Sequence, residues 1–173
     1  NRLGHTLSRD IPNLVIIASE EAPVISETVQ ELNSLSKRFP VKVYGYPVMR
    51  MMENLVPKYF FELEMQMFSP YWIDYSRRDI SRFNASFRQK FLTEPDELSN
   101  AWLGYDIAYY FISGIAVHGS DFLAHPEIHF PDLLHSEFDF RRKTVNDGFE
   151  NHRLFSIKYT RDYEVVLLPD VLQ

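Results

Sequence analysis

The feature that most restricts the fold is the stretch 99–119, which reads SNAWLGYDIAYYFISGIAVHG. From residue 101 to residue 117 nearly every side chain is apolar or aromatic, and Asp106 carries the one charge. An exposed helix would not tolerate so much apolar surface, so we predict a helix buried within a larger α/β body. Ser99 is its predicted N-cap and Gly119 its predicted C-terminal stop. A membrane span needs about 20 predominantly apolar residues, and this run is shorter and interrupted.

The two sides of this helix differ in character. At helical spacing one side carries a strip of small and aliphatic residues that suits close packing. The strip consists of Ala101, Gly104, Ala108, Ile112 and Ile115. The opposite side carries Asp106, Tyr110 and Ser113 and forms a polar seam. We predict that Asp106 accepts hydrogen bonds from nearby backbone or tyrosines, and the alternative is a functional buried carboxylate.

Composition excludes several classes of function. The chain has 173 residues, enough for one domain or two small lobes, and a formal net charge of −6 that argues against a nucleic-acid partner. It has no cysteine, so disulfides, zinc–thiolate sites and thiol nucleophiles are excluded. The sequence also lacks the G-x-S-x-G elbow, the P-loop and the G-x-G-x-x-G fingerprint. We therefore predict no enzyme activity, no cofactor and no metal.

The N-terminal third has the pattern of a βαβ unit. Its predicted elements are a buried strand over 13–18, a helix from Pro23 to about Arg38 and a second strand over 41–44. Strands joined in this way are parallel, and ligands of such units meet the loops at the carboxyl ends of the strands. Here those loops are 19–22 and 45–50. Glu20 and Glu21 would there accept hydrogen bonds from a ligand, or merely complement a helix N-terminus.

The remaining elements are predicted less directly. They are a strand over 62–68, an amphipathic helix over 80–91, a hairpin that pairs 137–142 with 153–160 around Asn146-Asp147-Gly148, and a final strand over 163–168. His125 and His129 have a spacing that could bind a metal on a helix, but Pro126 disfavours that helix and a surface loop is preferred. Asp74 lies among aromatic residues and indicates either a sugar- or amine-binding patch or a packed connector.

Four stretches, taken in order, carry a family resemblance. They are 13–46, the run FSPYWIDY over 68–75, FNASFRQKFLTEP over 83–95 with Gly104-Tyr105-Asp106, and 138–140 with 148–151. In this order they resemble the C-terminal half of type I periplasmic binding proteins, the class of the leucine/isoleucine/valine receptors. The closest likeness is to the substrate-binding-protein-like domains that accompany LysM modules in envelope proteins.

The resemblance implies an α/β fold built from Rossmann-like three-layer lobes, with a parallel βαβ unit and a C-terminal β-hairpin. It divides the chain into a second-lobe βαβ portion (1–68), an interlobe crossover (69–75), a helical portion of the first lobe (76–135) and a closing hairpin and strand (136–173). The chain begins at Asn1 without an initiator Met and is expected to be a fragment that lacks the opening βα units of the first lobe. The apolar helix is therefore expected to be covered by a second copy or by the missing N-terminal segment.

The implied function is non-enzymatic, extracytoplasmic binding of a small polar solute, such as an amino acid or a peptide fragment. The residues that the resemblance places at the ligand are Ser19, Glu20, Tyr46, Tyr71 and Trp72. The implied location is the periplasm or the outer cell envelope, with a lipid anchor in the full-length parent, and the implied partners are an ABC permease or peptidoglycan-associated modules. The alternative is a structural module of the cell envelope with a degenerate cleft. Amino-acid receptors of the class place an acidic residue after the second strand, where this chain has Tyr46-Pro47-Val48-Met49.

Overall fold

The computed structural model describes residues 3–95 and 100–169. These residues divide into two compact units. The sheet unit runs to Ser69 and resumes at Phe155, and the helical unit is Pro70–Leu154. The range 136–173, predicted as one closing segment, therefore contributes residues to both units.

The elements follow in chain order. The strands are β1 (Asn13–Ile16), β2 (Val41–Gly45), β3 (Gln66–Ser69), β4 (Phe140–Arg141), β5 (Glu150–Asn151), β6 (Phe155–Tyr159) and β7 (Val165–Leu167). The helices are α1 (Ala22–Leu35), α2 (Lys58–Glu62), α3 (Arg78–Phe91), α4 (Asn100–His118) and α5 (Asp121–Ala124). Short 3₁₀ helices cover Leu3–His5, Pro47–Met51 and Pro126–Ile128.

The sheet unit contains a mixed five-stranded sheet of order β1-β2-β3-β6-β7. β1 pairs in parallel with β2, and β2 in parallel with β3. β6 runs antiparallel to both of its neighbours, so four of the five strands point the same way. The predicted βαβ unit is confirmed, with the first strand ending at Ile16 and the helix ending at Leu35.

One face of this sheet is buried and the other is not. Val43, Met67 and Ile157 alternate along their strands with more exposed neighbours and are almost completely buried. α1 buries a matching stripe, formed by Ile25, Val29, Leu32 and Leu35. On the opposite face Leu14, Ile16 and Phe68 are exposed, so the described residues of the sheet unit form two layers and not the predicted three. The connection after β1 contains α1 and the connection after β2 contains α2, which contacts α1. After β3 the chain enters the helical unit, so among the described residues of the sheet unit no later crossover helix covers the open face.

The predicted strand over 62–68 is correct only at its end. Residues 58–62 form α2, the left-handed backbone of Glu64 (φ 48°) turns the chain, and β3 begins at Gln66. The alternation of apolar and polar residues that suggested a strand reflects burial of Leu63, Met65 and Met67 across this turn. The alternating burial therefore does not require an extended strand, because it arises on both sides of a turn.

The predicted hairpin forms with a different partner. Phe140 pairs with Asn151 and Arg141 with Glu150, so the strand opposite 140–141 is β5 and not the segment after Arg153. That later segment is β6, which pairs with β3 and β7 in the sheet unit. The Asp-Gly signal correctly predicts a turn here, but it does not specify which strand follows the turn.

α4 is buried along one side only, and the prediction of a helix buried nearly all round is wrong: the buried side is the predicted polar seam, and the strip of small and aliphatic residues is open. Its buried residues are Trp102, Asp106, Tyr110 and Gly114, which recur every four residues. The strip from Ala101 to Ile115 faces outward, and Ile112 is among its most exposed members. The cause is Asp106, whose buried carboxylate requires donors and draws its own side of the helix inward. Gly119 ends the helix as predicted, with φ 65° and its N–H donating to the Ile115 carbonyl at 2.8 Å, while Ser99 lies outside the described residues.

Two apolar clusters hold the helical unit together. The first contains Ile73, Ile80, Trp102 and Leu134, with Phe83 packed against it. The second contains Tyr110, Phe122 and Leu133, with Phe138 and Phe140 packed against it. Of the predicted stripe on α3 only Ile80 is fully buried, and Phe91 is exposed. α4 belongs to both clusters and is the central element of this unit.

Tyr110 makes an alkaline titration informative. Its ring is buried, its hydroxyl donates to the Pro126 carbonyl, and burial, helped by the charge of Glu127, raises the pKa of Tyr110 to about 12. The pKa of Tyr110 is higher in the folded chain than in the unfolded chain, where a tyrosine titrates at about 10. The protonated phenol therefore stabilises the fold at pH values below about 10. That stabilisation is lost as the pH rises from about 10 towards about 12. We expect one phenolate absorbance step at high pH that coincides with unfolding. If this step persists in Tyr110→Phe, it does not arise from Tyr110.

Candidate functional site

A cavity of about 410 Å³ lies at the carboxyl ends of β1 and β2. Its lining residues are Ala18, Ser19, Glu20, Tyr46, Pro47 and Val48. The two strands pair in register from Asn13 opposite Val41 to Ile16 opposite Tyr44, and the Ile17 N–H donates to the Tyr44 carbonyl at 3.2 Å. Both loops therefore leave the sheet at the same edge, which brings together residues far apart in sequence.

Each loop is held by the element that follows it. After β1, Pro23 lies in the first turn of α1, where a missing N–H costs nothing. The Asn54 side-chain amide donates to the Ala22 carbonyl at 3.1 Å and ties a neighbouring loop to this helix end. After β2, Pro47 opens a 3₁₀ helix whose Met49 is buried. The cavity walls are thus anchored by buried or hydrogen-bonded groups beneath them.

The polar groups of the cavity are a hydroxyl, a carboxylate and a phenol. The Glu21 N–H donates to the Ser19 Oγ at 3.2 Å, which orients the Ser19 side chain. Glu20 and Tyr46 are exposed on the cavity wall. Glu20 is the single carboxylic acid of the lining, and the lining has no lysine, arginine or histidine. The cavity is therefore chemically suited to a ligand that donates hydrogen bonds or carries positive charge.

The sequence distinguishes poorly between the two adjacent glutamates, and the structure separates them. Glu20 lines the cavity, whereas Glu21 is the N-cap residue of α1 and makes no side-chain capping bond. Ala18, Pro47 and Val48 also line the cavity and were not predicted individually. Pro47 and Val48 lie in the loop 45–50 that the strand-end rule indicates, and Ala18 was missed because the strand was expected to extend through it.

Tyr71 and Trp72, the other two predicted ligand residues, belong to the helical unit. The Tyr71 ring stacks on His135, with ring centroids 4.4 Å apart and planes 11° apart. The backbone N–H of Trp72 donates to the His135 carbonyl at 2.9 Å. Both residues therefore help to hold the segment around His135. Nearby, Asp74 Oδ1 accepts from the Ser76 N–H at 2.9 Å and from its hydroxyl at 2.6 Å, so Asp74 closes a turn.

A second cavity in the sheet unit has a volume of about 450 Å³. It is lined by Asn33, Ser36, Lys37, Phe61, Glu62, Arg161 and Tyr163. Its carboxylate is already used: Glu62 accepts from the Asn33 amide at 2.8 Å and pairs with Lys58 at 3.1 Å. These two partners, Lys58 first, lower the pKa of Glu62. The cavity that retains an uncommitted acidic group is the one at the strand ends.

Asp106, His135 and Ser136 form a buried polar cluster in the helical unit. Asp106 accepts three backbone N–H bonds, from Leu134 at 2.9 Å, His135 at 2.9 Å and Ser136 at 2.7 Å. His135 Nδ1 lies 2.8 Å from Ser136 Oγ and 4.0 Å from Asp106 Oδ2. A nucleophilic triad needs the serine and the carboxylate at different imidazole nitrogens, and here both face Nδ1. The prediction that Asp106 accepts backbone hydrogen bonds is confirmed.

The two histidines with metal-like spacing separate in the structure. His125 Nδ1 lies 3.2 Å from the Glu127 carboxylate and is exposed, whereas His129 Nε2 lies 2.8 Å from Ser113 Oγ among aromatic rings. Burial, followed by the charge of His118, lowers the pKa of His129. Across residues 3–95 and 100–169 no group of three or more His, Asp or Glu side chains is arranged to hold a metal ion.

The fold and the cavity define an α/β protein with a mostly parallel sheet and an open cavity at its carboxyl edge. Within the described residues no helix is long and apolar enough to cross a membrane. Comparison of the chain with protein-family models, curated proteins and solved structures finds no match.

Proposed function

We propose that this protein is a non-enzymatic module that binds a small polar solute in the cavity at the carboxyl ends of β1 and β2. The observation that carries the proposal is the convergence of Ser19, Glu20 and Tyr46 around one open cavity of about 410 Å³. Small-molecule sites are concave, are mostly about 300–1,000 Å³ in volume and contain a few placed polar groups. The cavity has each of these properties.

The chemistry of the lining supports a ligand with an ammonium group or several hydroxyls. Glu20 would accept from such donors, Ser19 and Tyr46 can both donate and accept, and Val48 with Pro47 offers an apolar wall. A free amino acid or a short peptide fragment combines these features. In this proposal the acidic group that receptors of the resembled class place after the second strand comes from the loop after the first strand.

The broader setting of the proposal follows the resemblance to type I periplasmic binding proteins. The module would work outside the cytoplasm, in the periplasm or the outer envelope, and would deliver its solute to an ABC permease. Tyr71 and Trp72 would then contribute to the hinge between lobes.

The test compares two adjacent glutamates. We expect L-leucine to bind measurably and N-acetyl-L-leucine, which lacks the ammonium, to bind at least about tenfold more weakly, because a hydrogen bond to a charged group is worth about 1.5–3 kcal/mol. Glu20→Ala should remove this preference for the free amine. Glu21→Ala, which changes the neighbouring cap residue, should leave it intact. Isothermal titration calorimetry measures the affinities, and backbone NMR shifts locate the ligand.

Two results would overturn the proposal. An unchanged leucine affinity in Glu20→Ala would show that Glu20 does not bind the ligand. The cavity would not be the binding site if a panel of free amino acids and dipeptides caused no NMR shifts at residues 18–20 and 46–48 and native mass spectrometry showed no small-molecule adduct.

A second candidate function is a structural interaction module of the cell envelope. The observation that favours it is the amount of uncovered apolar surface, on the outward side of α4 and on the open face of the sheet at Leu14 and Ile16. Co-sedimentation with purified peptidoglycan sacculi tests it. Retention on sacculi without any solute binding would favour this candidate over the first.

A further inference from the structure

The outer face of α4 is apolar and uncovered. The outer face consists of Ala101, Gly104, Tyr105, Ile107, Ala108, Tyr109, Phe111, Ile112 and Ile115. The one charged residue between Asn100 and Val117 is Asp106, and it points inward. The outer face therefore carries no charge along about four turns of helix.

The size of this surface is comparable to half of a protein interface. Its six large side chains are between 39% and 70% exposed. With about 200 Å² for a fully exposed large side chain, these fractions correspond to on the order of 600 Å² per chain. Two copies would bury roughly 1,200 Å² together, the lower end of specific interfaces. The largest exposed apolar patch of a typical monomer covers about 300–600 Å² and is often functional, and this surface lies at the upper end of that range.

The arrangement of small and bulky residues is complementary to itself. Along the middle of the outer face the N-terminal half has Gly104 and Ala101, and the C-terminal half has Ile112 and Ile115. If a second α4 lies antiparallel and crosses at Ala108, Gly104 faces Ile112 of the other copy, and Ala101 faces its Ile115. A Cβ built on Gly104 meets nothing within 4 Å, so the space for a bulky neighbour is open.

The larger side chains on either side of this middle strip are also matched by the two-fold symmetry. About a two-fold axis at Ala108, Tyr105 of one copy is level with Phe111 of the other, and Ile107 is level with Tyr109. The small residues at the crossing permit close approach, and the larger side chains interdigitate beside them. A parallel pairing would instead set glycine against glycine and isoleucine against isoleucine, which leaves gaps at one end and crowding at the other.

We propose that the outer face of α4 is a homodimer interface in which two copies of α4 pack antiparallel about a two-fold axis at Ala108. A second copy fits better than an acidic membrane surface, because interfacial helices carry lysine and arginine beside their apolar face and this one has none. It also brings two chains of net charge −6 together through their uncharged surfaces. The proposal does not depend on the solute cavity.

Cysteine cross-linking tests both the contact and its direction, because the chain has no cysteine of its own. Under mild oxidation we expect Ala108→Cys to form a disulfide-linked dimer, since the two copies of residue 108 meet at the axis. Ile115→Cys should not, because in the antiparallel pair the two copies of residue 115 lie about 21 Å apart along the helices. Cross-linking of Ile115→Cys in preference to Ala108→Cys would overturn the proposed direction.

A pair of matched isoleucines tests the interface in the unmodified chain. Ile112 on α4 is 70% exposed and Ile16 on the open sheet face is 62% exposed. We expect the wild type to be a dimer by sedimentation velocity, Ile112→Glu to dissociate at least about tenfold more readily, and Ile16→Glu to remain dimeric. Both substitutions change the charge equally, and far-UV circular dichroism verifies that both variants are folded.

Each other outcome counts against the proposal. A wild-type chain that stays monomeric from about 1 µM to about 100 µM, a range that covers typical weak homodimers, overturns it. A dimer that Ile16→Glu dissociates and Ile112→Glu does not would assign the interface to the sheet.

Discussion

Asp106→Ala is expected to lower the free energy of unfolding by about 3–5 kcal/mol, because three buried backbone N–H groups lose their acceptor. The Asp106 carboxylate is completely buried and accepts the N–H groups of three successive residues, Leu134 to Ser136. Without it these donors lose their partner inside the protein, and each buried unsatisfied group costs about 1–3 kcal/mol. Loss of the turn also frees Leu134, a member of the first apolar cluster.

Urea denaturation followed by tryptophan fluorescence measures this loss, since Trp102 lies in the same cluster. Asp132→Ala is the matched control: its side chain is 86% exposed and pairs with Arg77 at 2.9 Å, so it should cost less than about 1 kcal/mol. Asp106→Asn should fall between the two, because the amide keeps one acceptor oxygen but sets an NH₂ group against backbone donors. A loss below about 1 kcal/mol in Asp106→Ala would mean that the carboxylate does not organise this turn.

Gly114→Ala is expected to destabilise the helical unit by about 1–3 kcal/mol, the usual cost of overpacking a core. A Cβ at residue 114 would lie 2.6 Å from Cε2 and Cζ of Phe122 and 2.8 Å from its Cδ2. The Phe122 ring is fully buried and packs against the Tyr110 ring at an interplanar angle of 59°, so it has little room to move. The close approach of α4 to α5 therefore requires glycine at residue 114.

Gly104→Ala provides the control for the backbone. Gly104 lies in the same helix, its added Cβ meets nothing within 4 Å, and alanine is favoured over glycine in a helix interior by about 1 kcal/mol. The two substitutions are chemically identical and should change the melting temperature in opposite directions. The measurement is made at a protein concentration low enough that unfolding does not depend on it. Equal effects of the two would refute the packing argument at Phe122.

The cavity could be located from the sequence because its position follows from a topological rule. Ser19 and Tyr46 are 27 residues apart, but each follows a strand of a βαβ unit, and the ends of parallel strands meet at one edge. The βαβ pattern needs only short-range information: a β-branched apolar run, a helical stripe and a proline at each boundary. Which of Glu20 and Glu21 lines the cavity depends on the backbone conformation of the loop, and the sequence pattern does not specify that conformation.

The orientation of α4 was not predictable in the same way. Its composition is so apolar that its periodicity identifies no single core face, and small residues suggested close packing on the side that the structure leaves open. The structure buries the other side because the backbone of 134–136 donates to Asp106. That contact joins residues about 30 positions apart, and nothing in the local pattern of either segment indicates the other.

The sequence by itself determined the helices and strands that short-range periodicity and capping residues specify, including the βαβ unit, the end of α4 at Gly119 and the edge at which the cavity lies. Tertiary structure alone decided which side of α4 is buried, which strand pairs with β4, and that residues 155–159 return to the first sheet. The physical reason is that hydrophobicity is non-directional and assigns burial without assigning partners. Partners are chosen by hydrogen bonds and packing between residues distant in sequence, as Asp106 chooses the turn at 134–136 and Gly114 accommodates Phe122.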